Sequence, residues 1–229
     1  MIDIVVSTCN RLELLKRTVE TIQERTSSDY RLHVIDDAST EDNIEYLAGL
    51  QMAGVIETLI AREKRAGITA NLRAILGITC SNPVVFTDDD VLCPKLEPDW
   101  LYRGLMAMEE HPELGMLALN NPQCNVGDKR RRGEVSREVT YCRNVGGTFT
   151  FVRRDVLKRC LPAGEAVSPV KEMCFEAARR GWKVGYLTNV YCQHIGLVSM
   201  RSRLDMAEEL RLTAPINDDT LEPADVYKG

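Results

Sequence analysis

Over the first ninety residues, short apolar runs that stop on polar residues alternate with longer stretches of helical spacing. IDIVVS at 2–7 is a β-branched run of strand length. NRLELLKRTVETIQER then carries apolar residues at 12, 15, 19 and 22, which predicts a helix with Asn10 as its cap. YRLHVIDDAST predicts a second strand ending on Asp36 and Asp37, EDNIEYLAGLQ a helix, VIETLIA a strand, and ITANLRAILGITC an amphipathic helix. PVVFT predicts a fourth strand that runs straight into Asp88, Asp89 and Asp90. Such alternation implies an α/β fold with a parallel sheet and right-handed crossovers.

The second half changes character. PDWLYRGLMAMEEHP predicts a helix after Pro98, and LGMLALN a strand. Residues 120–147 are turn-rich, with hairpin strands expected near 135–141. GGTFTFVRRDVLKRC suggests a strand leading into a short helix, and PVKEMCFEAARRGWKVGYL a helix ending at Gly181 and then a strand. NVYCQHIG reads as one further, last strand. The tail from 213, with Pro215, Pro223 and several acids, is expected to be poorly ordered or a mobile flap.

Composition narrows the field. A chain of 229 residues can bury a sizeable core, and one domain is expected. The net charge of −5 offers no basic footprint for nucleic acid. The dense basic run KRRRG at 129–133 suits a solvated loop or an anionic partner. No apolar stretch approaches the ~18 residues of a membrane span, which leaves only peripheral association with a membrane. The opening MIDIVVST has an acid at position 3, where a signal peptide would be positive. Eight cysteines are scattered with no CxxC pair, the usage expected of reduced, mostly buried thiols in a cytoplasmic protein.

Chemistry collects at three strand ends: Ser7-Thr8, Asp36-Asp37 and Asp88 to Asp90. Ligands of parallel α/β sheets bind beyond those ends. Three adjacent carboxylates repel one another, and either a solvated turn or a divalent cation relieves that repulsion. His194, in YCQHIG, reads as a structural histidine or as a nitrogen ligand completing an aspartate-rich metal site.

Taken in order, VVSTCNRLELLKRTVETI, VIDDAST, VFTDDDVL, GGTFTFVRRDVL, RRGWKVGY and VYCQHIG resemble family 2 glycosyltransferases of the glycosyltransferase A fold, over roughly residues 1–200. The resemblance implies a Rossmann-like, mixed but mostly parallel central sheet flanked by helices, in a single domain over 1–212. Residues 1–97 would form the nucleotide-binding half, 98–212 the acceptor and catalytic half, and 213–229 the tail. It implies transfer of a sugar from a nucleoside diphosphate sugar, with UDP as the nucleotide, to an acceptor hydroxyl on a carbohydrate, a lipid-linked intermediate or a small molecule. Mn2+ or Mg2+ would bridge the acids and the diphosphate.

Residue by residue, the resemblance gives Asp90 and His194 to the metal, with Gly196 completing an HxG setting. Asp88 is given to the ribose or sugar, and Asp89 fills the motif's variable middle position. Asp37, in preference to Asp36, would accept the imide N–H of uracil, with Thr8 facing the same base; capping of the next helix is the competing reading for one of the two acids. Asn10 and Arg11 join the donor-binding residues. Arg65 stands where an asparagine is usual, and Gly147 lies in the loop approaching donor and acceptor. Ser7 replaces a common proline. The catalytic base is expected as an acid pair before GW, but that register meets Pro169 and Val170, so Glu172 takes the role, with Glu176 as substitute. A retaining mechanism is the alternative. Trp100 and Tyr102 could stack on a sugar or pack in the core.

VVFTDDDVL also resembles the haloacid dehalogenase-like phosphatase motif, with an aspartate nucleophile and Asp218-Asp219 as a late acidic pair. That reading leaves STCNR, IDDAST and QHIG unused. A sugar nucleotidyltransferase would open with a glycine-rich basic loop, and a non-catalytic sugar binder would lose the acids.

Overall fold

In the computed structural model, which describes residues 1–121 and 132–196 (the backbone alone at 132–135), the opening apolar run becomes β1 (Ile2–Thr8). Ile4, Val5 and Val6 are fully buried, because a central parallel strand is covered on both faces. α1 (Leu12–Arg25) buries Leu14, Leu15, Thr18, Val19 and Ile22 along one face. Each such aliphatic side chain contributes roughly 1.5–3 kcal/mol. Arg11, not Asn10, occupies the helix-capping position. Asn10 adopts a left-handed φ of 60° and instead accepts the Thr40 N–H at 2.8 Å, tying the β1 loop to the next helix.

β2 (Tyr30–Asp36), α2 (Glu41–Met52), β3 (Thr58–Ala61), α3 (Gly67–Ile78) and β4 (Val84–Asp88) continue the alternation. Then come β5 (Val91–Leu92), α4 (Trp100–Glu110), β6 (Leu114–Asn120), β7 (Arg132–Val135), β8 (Val139–Cys142) and β9 (Thr150–Val152). α5 (Arg154–Cys160), α6 (Pro169–Arg179), β10 (Lys183–Tyr191) and β11 (Gln193–His194) follow. Among the described residues the main sheet has nine strands in the order β3-β2-β1-β4-β9-β6-β10-β8-β7. Only β9 and β8 run against the rest, so the carboxyl ends of β1, β2, β4, β6 and β10 share one edge.

β9 runs the other way and therefore begins at that edge, with Thr150 opposite Phe86 of β4. This reversal delivers the GGT loop beside the triple aspartate. The two strands expected after Gly181 are a single strand, β10, whose register against β6 shifts between Tyr186 and Tyr191. What leaves the sheet is β11. It forms a separate two-stranded sheet with β5, setting His194 opposite Val91.

Side chains on the two faces of the sheet form two cores, one around Ile4, Val6, Leu15 and Trp100, the other around Val5, Ile35, Met116 and Val184. Trp100 is fully buried against Phe149, with ring centroids 4.7 Å apart, and its Nε1 donates to Thr26 Oγ1. It is a core residue rather than a sugar platform, whereas Tyr102 stays half exposed. No helix among the described residues is long and apolar enough to cross a membrane. The basic side chains of 129–133, the tail at 213–229 and Asp218-Asp219 lie outside the described residues.

Candidate functional site

The three acids after β4 have three different environments. Asp89 turns inward and has no exposed surface. One of its oxygens accepts the Thr8 hydroxyl at 2.6 Å and the Cys9 N–H, and the other accepts the Arg11 guanidinium. Thr18 braces the same turn from α1: its hydroxyl donates to the Asp89 carbonyl at 2.8 Å and accepts the Val91 N–H. Asp89 is thus the most tightly held of the three, although the motif treats its position as variable. Thr8, 3% exposed, spends its proton on Asp89 and has none for a nucleobase.

Asp90 is buried, and Arg11 binds its Oδ2. Its Oδ1 stands 3.5 Å from Nε2 of His194 and accepts no hydrogen bond among the described residues. The β5–β11 pairing places His194 there, and the Ile195 N–H closes on the Asp90 carbonyl at 2.8 Å. At Gly196 any side chain is excluded, since a Cβ would fall 2.0 Å from Asp90 Oδ2. Asp88 ends β4 partly exposed, and its Oδ2 lies 3.2 Å from where a Cβ on Gly147 would sit.

Burial, reinforced by Asp90 and Asp89, pushes the Asp88 carboxyl up to about 7. Burial likewise raises Asp89, to about 6, against the opposing pull of Arg11 and the Thr8 hydroxyl. Arg11 is itself held above its usual range: burial lowers it, and the charges of Asp89, Asp90 and Asp88 outweigh that effect.

Asp88, Asp90 and His194 each offer one ligand atom, all within 4.8 Å of one another. Two carboxylates and an imidazole suit a Mn2+ or Mg2+ ion, and the buried Asp90 oxygen without a hydrogen bond is the atom that a cation would satisfy. The residues therefore fit a divalent cation.

The β2 end is built differently. Asp37 accepts the Ala66 N–H at 2.7 Å and the Gly67 N–H at 2.9 Å, one on each oxygen, with Arg62 at 3.8 Å. It pins the start of α3 and keeps one lone pair per oxygen for another donor. Asp36 is fully buried, and its Oδ2 accepts the Ser39 N–H at 2.9 Å. Arg65 is exposed on the loop before α3, where its charge opposes the burial that raises the Cys9 thiol.

Glu172 lies in the first turn of α6, whose Cys174 accepts the Val145 N–H just before the Gly146-Gly147 loop. Glu172 is exposed on α6 and lines a groove with Arg159, Leu161 and Arg179, on the α5 side. Glu176 faces the same groove and pairs with Arg180. Glu165, which sequence reasoning passed over, has its Oε1 3.5 Å from the Cβ position of Gly67, against the corner that Asp37 holds. Thr18 and Arg62 were also missed. A buried threonine on the apolar face of α1 was the one available signal for Thr18.

The model for glycosyl transferase family 2 matches residues 3–161. The chain belongs to that family. Solved structures share the fold of this family 2 chain. The mannosyltransferase PcManGT from Pyrobaculum calidifontis, in complex with GDP-Man and Mn2+, aligns with a TM-score of 0.70 at 19% identity, over 84% of this chain and 56% of its own. GalNAc-T7 with UDP, GalNAc and Mn2+ gives 0.67 at 13%, over 85% of this chain and 43% of its own. TarS 1-349 from S. aureus in complex with UDP gives 0.63 at 15%, over 91% of this chain and 68% of its own. The chain thus spans about half the length of the first two. No curated protein sequence matches it.

Proposed function

We propose that the protein is a metal-dependent glycosyltransferase that moves a sugar from a nucleoside diphosphate sugar, a UDP-sugar by preference, to an acceptor hydroxyl. The carrying observation is the convergence of Asp88, Asp90 and His194 at the shared carboxyl edge of the sheet. Relatives of the same fold were solved with UDP or GDP-Man, two of them with Mn2+, which supports the donor class.

Asp90 and His194 hold the cation, and Asp88 faces both the cation and the donor sugar or ribose across the Gly147 backbone. A bound divalent cation supplies Lewis-acid stabilisation of the charge that develops on the departing diphosphate. Asp37 shapes the wall for the base through Ala66 and Gly67 and receives the imide N–H on a remaining lone pair. Arg65 meets the phosphates or the base from the rim. Residues 1–97 carry the nucleotide and 98–212 the acceptor. Transfer is inverting if a carboxylate reaches the acceptor hydroxyl, and retaining if none does.

The test is a thermal-shift panel of UDP, GDP, CDP and dTDP with and without Mn2+. Ligands that bind the native state raise the melting temperature. UDP with Mn2+ is expected to give the largest rise. If no nucleotide shows a metal-dependent shift, the donor reading fails, and turnover of p-nitrophenyl phosphate would put the phosphatase reading in its place.

A further inference from the structure

Arg11 stands at the head of α1 with its guanidinium between two of the three acids, Nη2 on Asp89 Oδ1 and Nη1 on Asp90 Oδ2. These acids are held unequally. Asp89 commits both oxygens, one to Thr8 and Cys9 and the other to Arg11. Asp90 commits Oδ2 alone and leaves Oδ1 facing His194.

We propose that Arg11 is the positioning residue of the cation site: anchored on Asp89, it grips one oxygen of Asp90 and so presents the other to the space shared with Asp88 and His194. This rests on the reading of Asp88, Asp90 and His194 as cation ligands. The chemistry needs an arginine. A rigid guanidinium fork spans two carboxylates at once, whereas a lysine ammonium is a single point charge on a flexible stem. Without the strut, Asp90 sits between two like charges and turns away from them. Gly196 adds the other wall of the slot, because a Cβ there would collide with the same Oδ2 that Arg11 holds.

The opposite role is also physical: a resident cation could stand in for the metal and compete with it. The two roles predict opposite signs. Positioning is favoured because Arg11 and His194 address different oxygens of Asp90, so Arg11 need not leave for a cation to bind.

The experiment titrates Mn2+ into the full chain, with and without UDP, and reads free Mn2+ by electron paramagnetic resonance for wild type, Arg11→Gln and Arg11→Lys. Circular dichroism checks that each variant is folded. Both variants are expected to bind Mn2+ about 10–100-fold more weakly, as when a group orienting a metal ligand is lost. Equal or tighter binding by Arg11→Gln overturns the proposal and makes Arg11 a competing counter-ion. Wild-type affinity in Arg11→Lys overturns it too, because charge alone would then be enough. If Arg11→Gln does not fold, Arg11→Lys decides.

Wild-type protein that binds Mn2+ but ignores nucleotide would remove the donor reading and leave this inference to the two variants. A normal nucleotide response with unchanged Mn2+ binding by both variants removes this inference alone. No Mn2+ binding by wild type, with or without UDP, removes both.

Discussion

At the residue scale, neighbouring aspartates of one motif call for opposite outcomes on substitution. Asp88 carries a carboxyl raised to about 7 by burial and two adjacent acids, so at pH 8 its ionised form destabilises the metal-free protein. Asp88→Asn should raise the metal-free melting temperature by about 2–4 °C, the response to ~1 kcal/mol in a chain of this size, and abolish the rise produced by Mn2+. Asp89→Ala should do the reverse. It strands the Thr8 hydroxyl, the Cys9 N–H and the Arg11 guanidinium, and breaking a buried charged network of this kind costs roughly 3–5 kcal/mol. Melting curves of the two metal-free variants decide the matter, and a shift of the same sign in both would contradict the division of roles. The acids before GW are tested in the same way. Glu172→Gln tests the base expected there: turnover within a few-fold of wild type would confine that side chain to the groove beside α5. A fall of about 10²–10⁴ in Glu172→Gln, the usual loss of a general base, would give that role to Glu172. Glu165→Gln, at the Asp37–Gly67 corner, should lower turnover.

At the element scale, the strands and helices of the first ninety residues were legible because short apolar runs that stop on polar residues alternate with longer stretches of helical composition. The β5–β11 pair was not legible, although it sets His194 beside Asp90. Two-residue strands carry no periodicity, and their pairing depends on a chain that returns from a hundred residues away. Asn10 illustrates the same limit: asparagine suits a helix cap and a left-handed turn equally, and only the position of Thr40 decides between them. α4 provides a test in which local preference and packing disagree. Gly104 sits mid-helix, where alanine is favoured by about 1 kcal/mol. Yet a Cβ there would lie 2.1 Å from the Phe151 ring, which is itself fully buried beside Trp100. Overpacking in such a core costs about 1–3 kcal/mol and wins. Gly104→Ala should therefore lower the denaturation midpoint, with the Trp100 fluorescence altered; an unchanged or raised midpoint would mean that the α4–β9 interface is slack.

At the scale of the whole molecule, the sheet has two chemically opposite edges. The carboxyl edge includes Asp88 and Asp89, whose ionisation is resisted, and it was legible as a site because three strand ends carried polar or acidic residues together. The amino edge was not, since Asp3 looks like a mere interruption in IDIVVS. Asp3 is fully buried; burial raises its carboxyl, but the N–H groups of Ser81 and Cys80, with His33, overcome this and bring it down to about 2. A depressed carboxyl stabilises the fold above its unfolded value near 4, and that contribution disappears as pH falls from there towards 2. Asp88 and Asp89, raised to about 7 and about 6, act in the other sense. Between pH 4 and 7 these two carboxyls hold more protons in the folded chain than in the unfolded one, so their contribution to metal-free stability declines as pH rises through that window. The metal-free protein should thus be most stable near pH 4–5, acidic of the usual range. A divalent cation needs the ionised carboxylates, so the stabilisation it gives should grow from pH 5.5 to pH 7.5 as the protons leave. Calorimetric scans at these two values, with and without 1 mM Mn2+, measure both effects. A Mn2+ increment that is the same at both pH values would mean that Asp88 and Asp89 ionise freely without the metal, and the cation would then have no repulsion at the end of β4 left to relieve.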